Sequence, residues 1–111
     1  MIDHYSFGKI VVNGKTYTSD VIVFKDRVRD NWWRKEGHRV YLEDIEEILK
    51  AKPDIVVFGT GAYGRVVVDR EVIKKLEEMG AEVIVEETSK AIKTFNKFKD
   101  KNVVLAAHLT C

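Results

Sequence analysis

Gly59-Thr60-Gly61-Ala62-Tyr63-Gly64 has the spacing G-x-G-x-x-G and follows Ile55-Val56-Val57-Phe58, an apolar run that reads as a buried strand. With Glu86 standing 27 positions after Gly59, the pattern is that of a dinucleotide site. Such a site needs a helix that opens inside the glycine turn and points its free N–H groups at the pyrophosphate. Here Arg65-Val66-Val67-Val68 intervenes, with β-branched side chains that favour extended chain, and a helix cannot start much before Asp69. A hairpin, not a mononucleotide-binding half, precedes the motif. No nicotinamide or flavin cofactor is therefore expected. Two readings of the glycines remain: a tight turn leaving a buried strand, or a small-anion pocket. In the second, Gly59, Thr60 and Gly61 face a helix start at Thr88 and Ser89, because both loops leave parallel strands at the same end of a sheet.

The stretch from Lys25 to Arg39 holds six Lys or Arg against three acids, with Trp32 and Trp33 in its middle. Basic residues among aromatics can clamp single-stranded nucleic acid. They can equally form a protein-binding hot spot, where Trp and Arg are enriched. The plainest reading is that one Trp plugs the edge of the sheet while the charges are solvated; a protein partner or self-association comes next, and nucleic acid last.

His4, His38 and His108 are far apart, and only His108 has a Cys nearby, Cys111 at i+3. Two ligands do not make a zinc site, so no metal is expected. A terminal thiol lacks the positioning that a Cys–His pair requires. No Ser–His–acid order or carboxylate pair stands out, so no catalytic residue is assigned.

Composition narrows the class further. A chain of 111 residues supports one core and one domain, 1–111. A net charge of +1 gives no global field towards nucleic acid or an anionic membrane. No apolar run approaches the roughly 20 residues that span a bilayer, and Met1-Ile2-Asp3-His4 does not open a secretory signal. The single Cys suits a reducing compartment, so a cytoplasmic location is expected. The absence of Gln, with abundant Lys and Glu, is thermophile-like.

The elements that must position these residues follow from periodicity. Lys9–Val12 and Lys15–Thr18 flank Asn13-Gly14, which supplies the positive φ angles of a type I′ hairpin. A strand follows from Asp20 to Phe24, and Lys25 to Val40 reads as one long loop. Leu42, Ile45, Ile48 and Leu49 recur at helical spacing, and Pro53 ends that helix. The next helix starts at Asp69 as cap, forms one face from Val72, Ile73, Leu76 and Met79, and stops at Gly80. Glu82–Glu86 is a strand. A third helix, capped by Thr88 or Ser89, buries Ala91, Ile92, Phe95 and Phe98, and Asn102–Ala107 is the last strand. Helices between apolar strands imply parallel pairing, so the fold class is α/β: a mixed central sheet with helices on its faces and an N-terminal antiparallel β-hairpin layer.

In order along the chain stand Trp33-Arg34 with Gly37-His38, Gly59-Thr60-Gly61, Thr88-Ser89-Lys90-Ala91 with Phe95-Asn96, and the closing His108-Leu109-Thr110-Cys111. In these the chain resembles the Mth-domain family of small α/β proteins over essentially its full length. The resemblance implies a mixed α/β sheet with an added hairpin layer, and roles in assembly and regulation without a settled enzymatic activity. The leading reading is a non-enzymatic binding or assembly domain that acts through Trp33, Arg34 and His38, with an anion pocket at Gly59, Thr60, Gly61, Thr88 and Ser89. The alternative is a small-molecule enzyme using that pocket. On either reading the core does not need Arg34 and His38, so replacing both is expected to leave stability nearly unchanged.

Overall fold

A computed structural model describes residues 1–111. Asn13 and Gly14 take φ of +48° and +81°, as a type I′ turn demands, and close a hairpin between β2 (Lys9–Val12) and β3 (Lys15–Tyr17). The sequence reading omitted a strand in front of it. β1 (Ile2–Ser6) pairs antiparallel with β2, which makes a three-stranded sheet. Open space surrounds the position of a Gly14 Cβ, so substitution there costs backbone strain alone. Gly14→Val is expected to destabilise the protein by more than about 1 kcal/mol, because a β-branched residue is disfavoured at positive φ. Urea denaturation checks this, and a neutral result would mean that the turn tolerates side chains that its φ should exclude.

The central sheet has five strands in the order β5 (Val28–Arg29), β4 (Val21–Val23), β10 (Val103–His108), β7 (Ile55–Thr60) and β9 (Glu82–Glu86). β7 lies in its interior between β9 and β10, parallel to both. Every residue of β7 and β10 is buried, which explains their unbroken apolar runs. β4 pairs antiparallel with β10, and β5 antiparallel with β4. The 25–40 stretch is thus not one loop. It contains β5 and β6 (Arg39–Val40), and β6 runs parallel to β8 (Val67–Val68).

Alternation along the central strands divides the expected single core into two, one on each face of the sheet. On one face Ile22, Val56, Phe58, Val104 and Ala106 pack against Ile45 and Ile48, and against Val72 and Leu76. Ile48 belongs to α1 (Glu46–Ala51), which continues a 3-10 turn at Leu42–Ile45, while Val72 and Leu76 belong to α2 (Arg70–Glu78). On the other face Val21, Val23, Val57, Leu105 and Ala107 pack against Ile2, Ile10 and Val12 of the small sheet. Ala91, Ile92 and Phe95 of α3 (Thr88–Lys97) complete that core.

Two expected caps are corrected. Asp69 stands at the N-cap of α2 but makes no side-chain cap; its carboxylate accepts from Arg39 Nη2 at 3.1 Å. The N-cap of α3 is Glu87, and Thr88 is already inside the helix and fully buried.

Candidate functional site

The last four residues, His108 to Cys111, gather the loops around them. The turn after β1 reaches in with Gly8, whose N–H donates to the Leu109 carbonyl at 2.8 Å, and the Tyr5 hydroxyl donates to the same oxygen at 2.9 Å. From the loop after β7, Ala62 N–H donates to the Thr110 carbonyl at 2.6 Å and Arg65 N–H to the Cys111 carbonyl at 3.2 Å. Just before β4, Asp20 Oδ1 accepts the Leu109 N–H at 2.8 Å.

Asp20 is the hub of a polar cluster. Its Oδ2 lies 2.7 Å from His108 Nδ1 and accepts from Arg34 Nη2 at 2.8 Å. Burial pushes the Asp20 carboxyl up, but hydrogen bonds from His108, the Leu109 N–H and Arg34 outweigh it and hold the group below its ordinary range. Arg34 Nη2 also donates to the Gly37 carbonyl at 2.8 Å, and the guanidinium lies over the Trp32 ring, 4.6 Å from its centre. The Arg34 side chain is only 4% exposed, and its Nε and Nη1 are buried without a partner. Trp32 is buried in the core and donates its Nε1–H to the Asp44 carbonyl at 2.9 Å. One of the two tryptophans is therefore a core residue, while Trp33 beside it is 81% exposed.

A cleft of about 330 Å³ opens over this cluster, lined by Asp20, Trp33, Arg34, His108 and Thr110 among others. His38 is exposed and stands edge-on to the His108 ring, with centroids 5.6 Å apart. The sequence reading thus placed Trp33, Arg34 and His38 together, but it treated Arg34 as a surface group. It does not include Asp20 or Thr110 in this site, and it takes His108 only as a neighbour of Cys111 and, with Thr110, as part of the closing motif. The signal for Asp20 was there: an acid entering the apolar run Val21–Phe24 needs a cation or hydrogen-bond donors close by.

The glycine loop is put together differently from an anion nest. Gly61 N–H donates to Thr88 Oγ1 at 2.8 Å, that hydroxyl donates to the His108 carbonyl at 2.7 Å, and the Gly61 carbonyl accepts the Thr88 N–H at 3.1 Å. The Thr60 hydroxyl donates to the Glu86 carbonyl at 3.1 Å. A Cβ at Gly59 would stand 2.9 Å from Thr88 Oγ1, and one at Gly61 would stand 2.5 Å from the Cys111 carbonyl carbon. These glycines let strand, helix start and final residues touch, and their donors are bonded within the chain. Ser89 is exposed and borders a separate, open depression with Ile2, Tyr5 and Asn96. α2 begins six positions after Gly64, so no helix opens in the glycine turn.

The loop's basic residues are also largely matched. Arg27 and Arg29 pair with Glu47, Arg34 with Asp20, Lys35 with Glu43 and Arg39 with Asp69. No helix is long and apolar enough to cross a membrane.

Comparison with known proteins agrees with this architecture. Residues 2–109 match a family described as "Protein of unknown function (DUF498/DUF598)". A conserved hypothetical protein of Pyrococcus horikoshii is 25% identical, with all of this chain and 99% of that one covered, at a TM-score of 0.88. A protein designated MT938 is also 25% identical, with 100% and 98% covered, at a TM-score of 0.82. A Mth938-like domain of Bordetella pertussis is 18% identical, with 98% and 85% covered, and shares the fold at a TM-score of 0.71.

Proposed function

This chain belongs to the DUF498/DUF598 family of proteins of unknown function, the Mth-domain proteins that its motifs resemble, and we propose that it acts as a protein-binding or assembly domain. The observation that carries the reading is the placement of its exposed aromatics. Phe7, Trp33 and Tyr63 are 56%, 81% and 69% exposed. They come from three loops, each tied to the His108–Cys111 segment: through Gly8, through the Arg34–Asp20 cluster, and through Ala62. Phe7 and Tyr63 touch, with ring centroids 6.2 Å apart. Scattered apolar side chains need no explanation, but aromatics converging on one end of a small domain form the kind of anchor patch on which binding energy concentrates.

Competing readings have less support. Five of the six basic residues between Lys25 and Arg39 have a carboxylate partner, which leaves little free charge to track a nucleic-acid backbone. Bonding of the Gly61 and Thr88 N–H groups within the chain likewise disfavours a small anion beside Gly59–Gly61. Native mass spectrometry of protein purified from its own host tests the proposal. A retained protein partner is expected. Trp33→Ala with Tyr63→Ala should weaken its binding at least about 30-fold, from about 2 kcal/mol or more of anchor energy, without shifting the melting temperature much. A partner held equally well by the double variant would place the binding surface elsewhere.

A further inference from the structure

The cleft beside Trp33 holds an arrangement that the binding reading does not use. A carboxylate only accepts hydrogen bonds, so the 2.7 Å contact between Asp20 Oδ2 and His108 Nδ1 puts the proton on Nδ1. The 3.2 Å contact of Arg34 Nη2 with the same nitrogen is then proximity and not a hydrogen bond. A neutral imidazole in that tautomer presents a lone pair at Nε2. Facing it at 3.2 Å is the hydroxyl of Thr110, half-buried on the wall of the cleft. Asp20 cannot turn away, because its other oxygen is held by the Leu109 N–H at 2.8 Å.

Hydroxyl, imidazole and carboxylate in this order have the connectivity that lets a weak nucleophile lose its proton as it attacks. Arg34 adds a cation in the same cleft, and its Nε and Nη1 have no partner in the protein. Those two donors are closed to the cleft, so Arg34 acts there through its charge, which stabilises negative charge that develops on a nearby oxygen. The charges of Asp20 and Arg34, which form an ion pair, offset each other beneath the cleft. Its volume of about 330 Å³ suits a small uncharged molecule, with the Trp33 indole among its walls.

We propose that Thr110 and His108 are catalytic residues for acyl transfer from small uncharged esters, with Asp20 as the positioning residue. Thr110 Oγ1 attacks the carbonyl carbon and forms the new C–O bond while its proton passes to His108 Nε2. The bond to the leaving alcohol then breaks, and that oxygen takes the proton from Nε2. Water attacks the acyl-threonine with His108 again as base; the acid leaves, and Thr110 regains its proton. The sequence conceals this set because its members lie at positions 20, 108 and 110, too far apart to form a linear motif.

The test uses the full chain and p-nitrophenyl acetate. A burst of p-nitrophenol is expected, together with a mass gain of one acetyl group that peptide mapping places on Thr110. Thr110→Val keeps the side-chain shape and leaves Phe7, Trp33 and Tyr63 in place, so it tests the relay apart from the binding proposal. It should lower the acylation rate about 100-fold or more with little change in melting temperature. Asp20→Asn, if it folds, should lose the plateau of the pH–rate profile at neutral pH and keep only the part of the rate that rises with hydroxide, which loss of a purely structural group would not produce. Acetyl groups found on Cys111 or lysines instead, no burst from folded wild type, or an undiminished rate in Thr110→Val would each overturn the proposal.

Discussion

Arg34→Ala is expected to destabilise the protein by about 3 kcal/mol, the usual consequence of removing one partner from a buried ion pair. The Arg34 side chain is 4% exposed, bonds Asp20 and the Gly37 carbonyl through Nη2, and covers the Trp32 ring. Alanine leaves the Asp20 carboxylate with two hydrogen bonds where it had three, uncovers an indole that is otherwise core, and frees the 34–37 turn. Arg34→Lys should recover only part of the loss, since an ammonium cannot lie flat on Trp32 while also reaching both oxygens. His38→Ala, at an exposed position, should stay within about 0.5 kcal/mol of wild type. The pH dependence adds a second reading of the same variant. In the fold the Asp20 carboxyl is held below its ordinary value, so the stability it contributes is complete above the unfolded value of about 3.9 and is lost as pH falls through the folded value. Arg34 is one of the groups that lower it. The difference between wild type and Arg34→Ala should therefore be largest near neutral pH and shrink below about pH 4. Urea denaturation across pH measures both effects, and an Arg34→Ala protein as stable as wild type would return Arg34 to the surface role that the sequence suggested.

That reversal shows which physical signals a sequence carries. The apolar runs at Ile55–Phe58 and Val103–Ala107, the helical spacing of Val72 and Leu76, and the Asn13-Gly14 turn are local patterns, and the elements formed where they stood. Strand β1 was hidden because Ile2–Ser6 has a single buried side chain, Ile2, and its place comes from pairing with β2 and from Asn96, which bonds both the N–H and the carbonyl of Ile2. β5 and β6 have two residues each, too short for any period, and exist only because β4 and β8 lie alongside. The site divides in the same way. Trp33 and His38 could be singled out from composition, since an exposed aromatic needs no partner to be recognised. Asp20 shows in the sequence only its need for a donor or cation, and the roles of His108 and Thr110 lie in distances to a residue 88 and 90 positions away. Type and position make Thr88 a cap or one wall of an anion pocket, yet its hydroxyl joins Gly61 to the His108 carbonyl, contacts that exist only after β7 and β10 have paired.

Gly61→Ala should be among the most damaging single methyl additions in the chain, costing about 3–5 kcal/mol and lowering the melting temperature by more than about 15 °C. Two effects combine. At φ +107° any L side chain is strained, which alone accounts for about 1 kcal/mol. Steric contact costs more: the new Cβ would stand 2.5 Å from the Cys111 carbonyl carbon, 2.6 Å from its oxygen and 2.9 Å from the Thr110 oxygen. All three are backbone atoms, so no rotamer change relieves the clash, and either the glycine loop or the final segment must move. If the final segment moves, the Ala62 bond to Thr110 and the Arg65 bond to Cys111 go with it, and Thr110 leaves the Nε2 of His108. Gly14→Ala provides the control, because Gly14 has a comparable φ of +81° with nothing within 4 Å of its Cβ position. The difference between the two variants in urea denaturation isolates the cost of the clash. Hydrogen exchange locates it, with faster exchange expected at Ala62 and Arg65 in Gly61→Ala alone. Equal losses in the two variants would mean that residues 110 and 111 are not held against the glycine loop in solution, and the convergence of Phe7, Trp33 and Tyr63 on that end would lose its anchor.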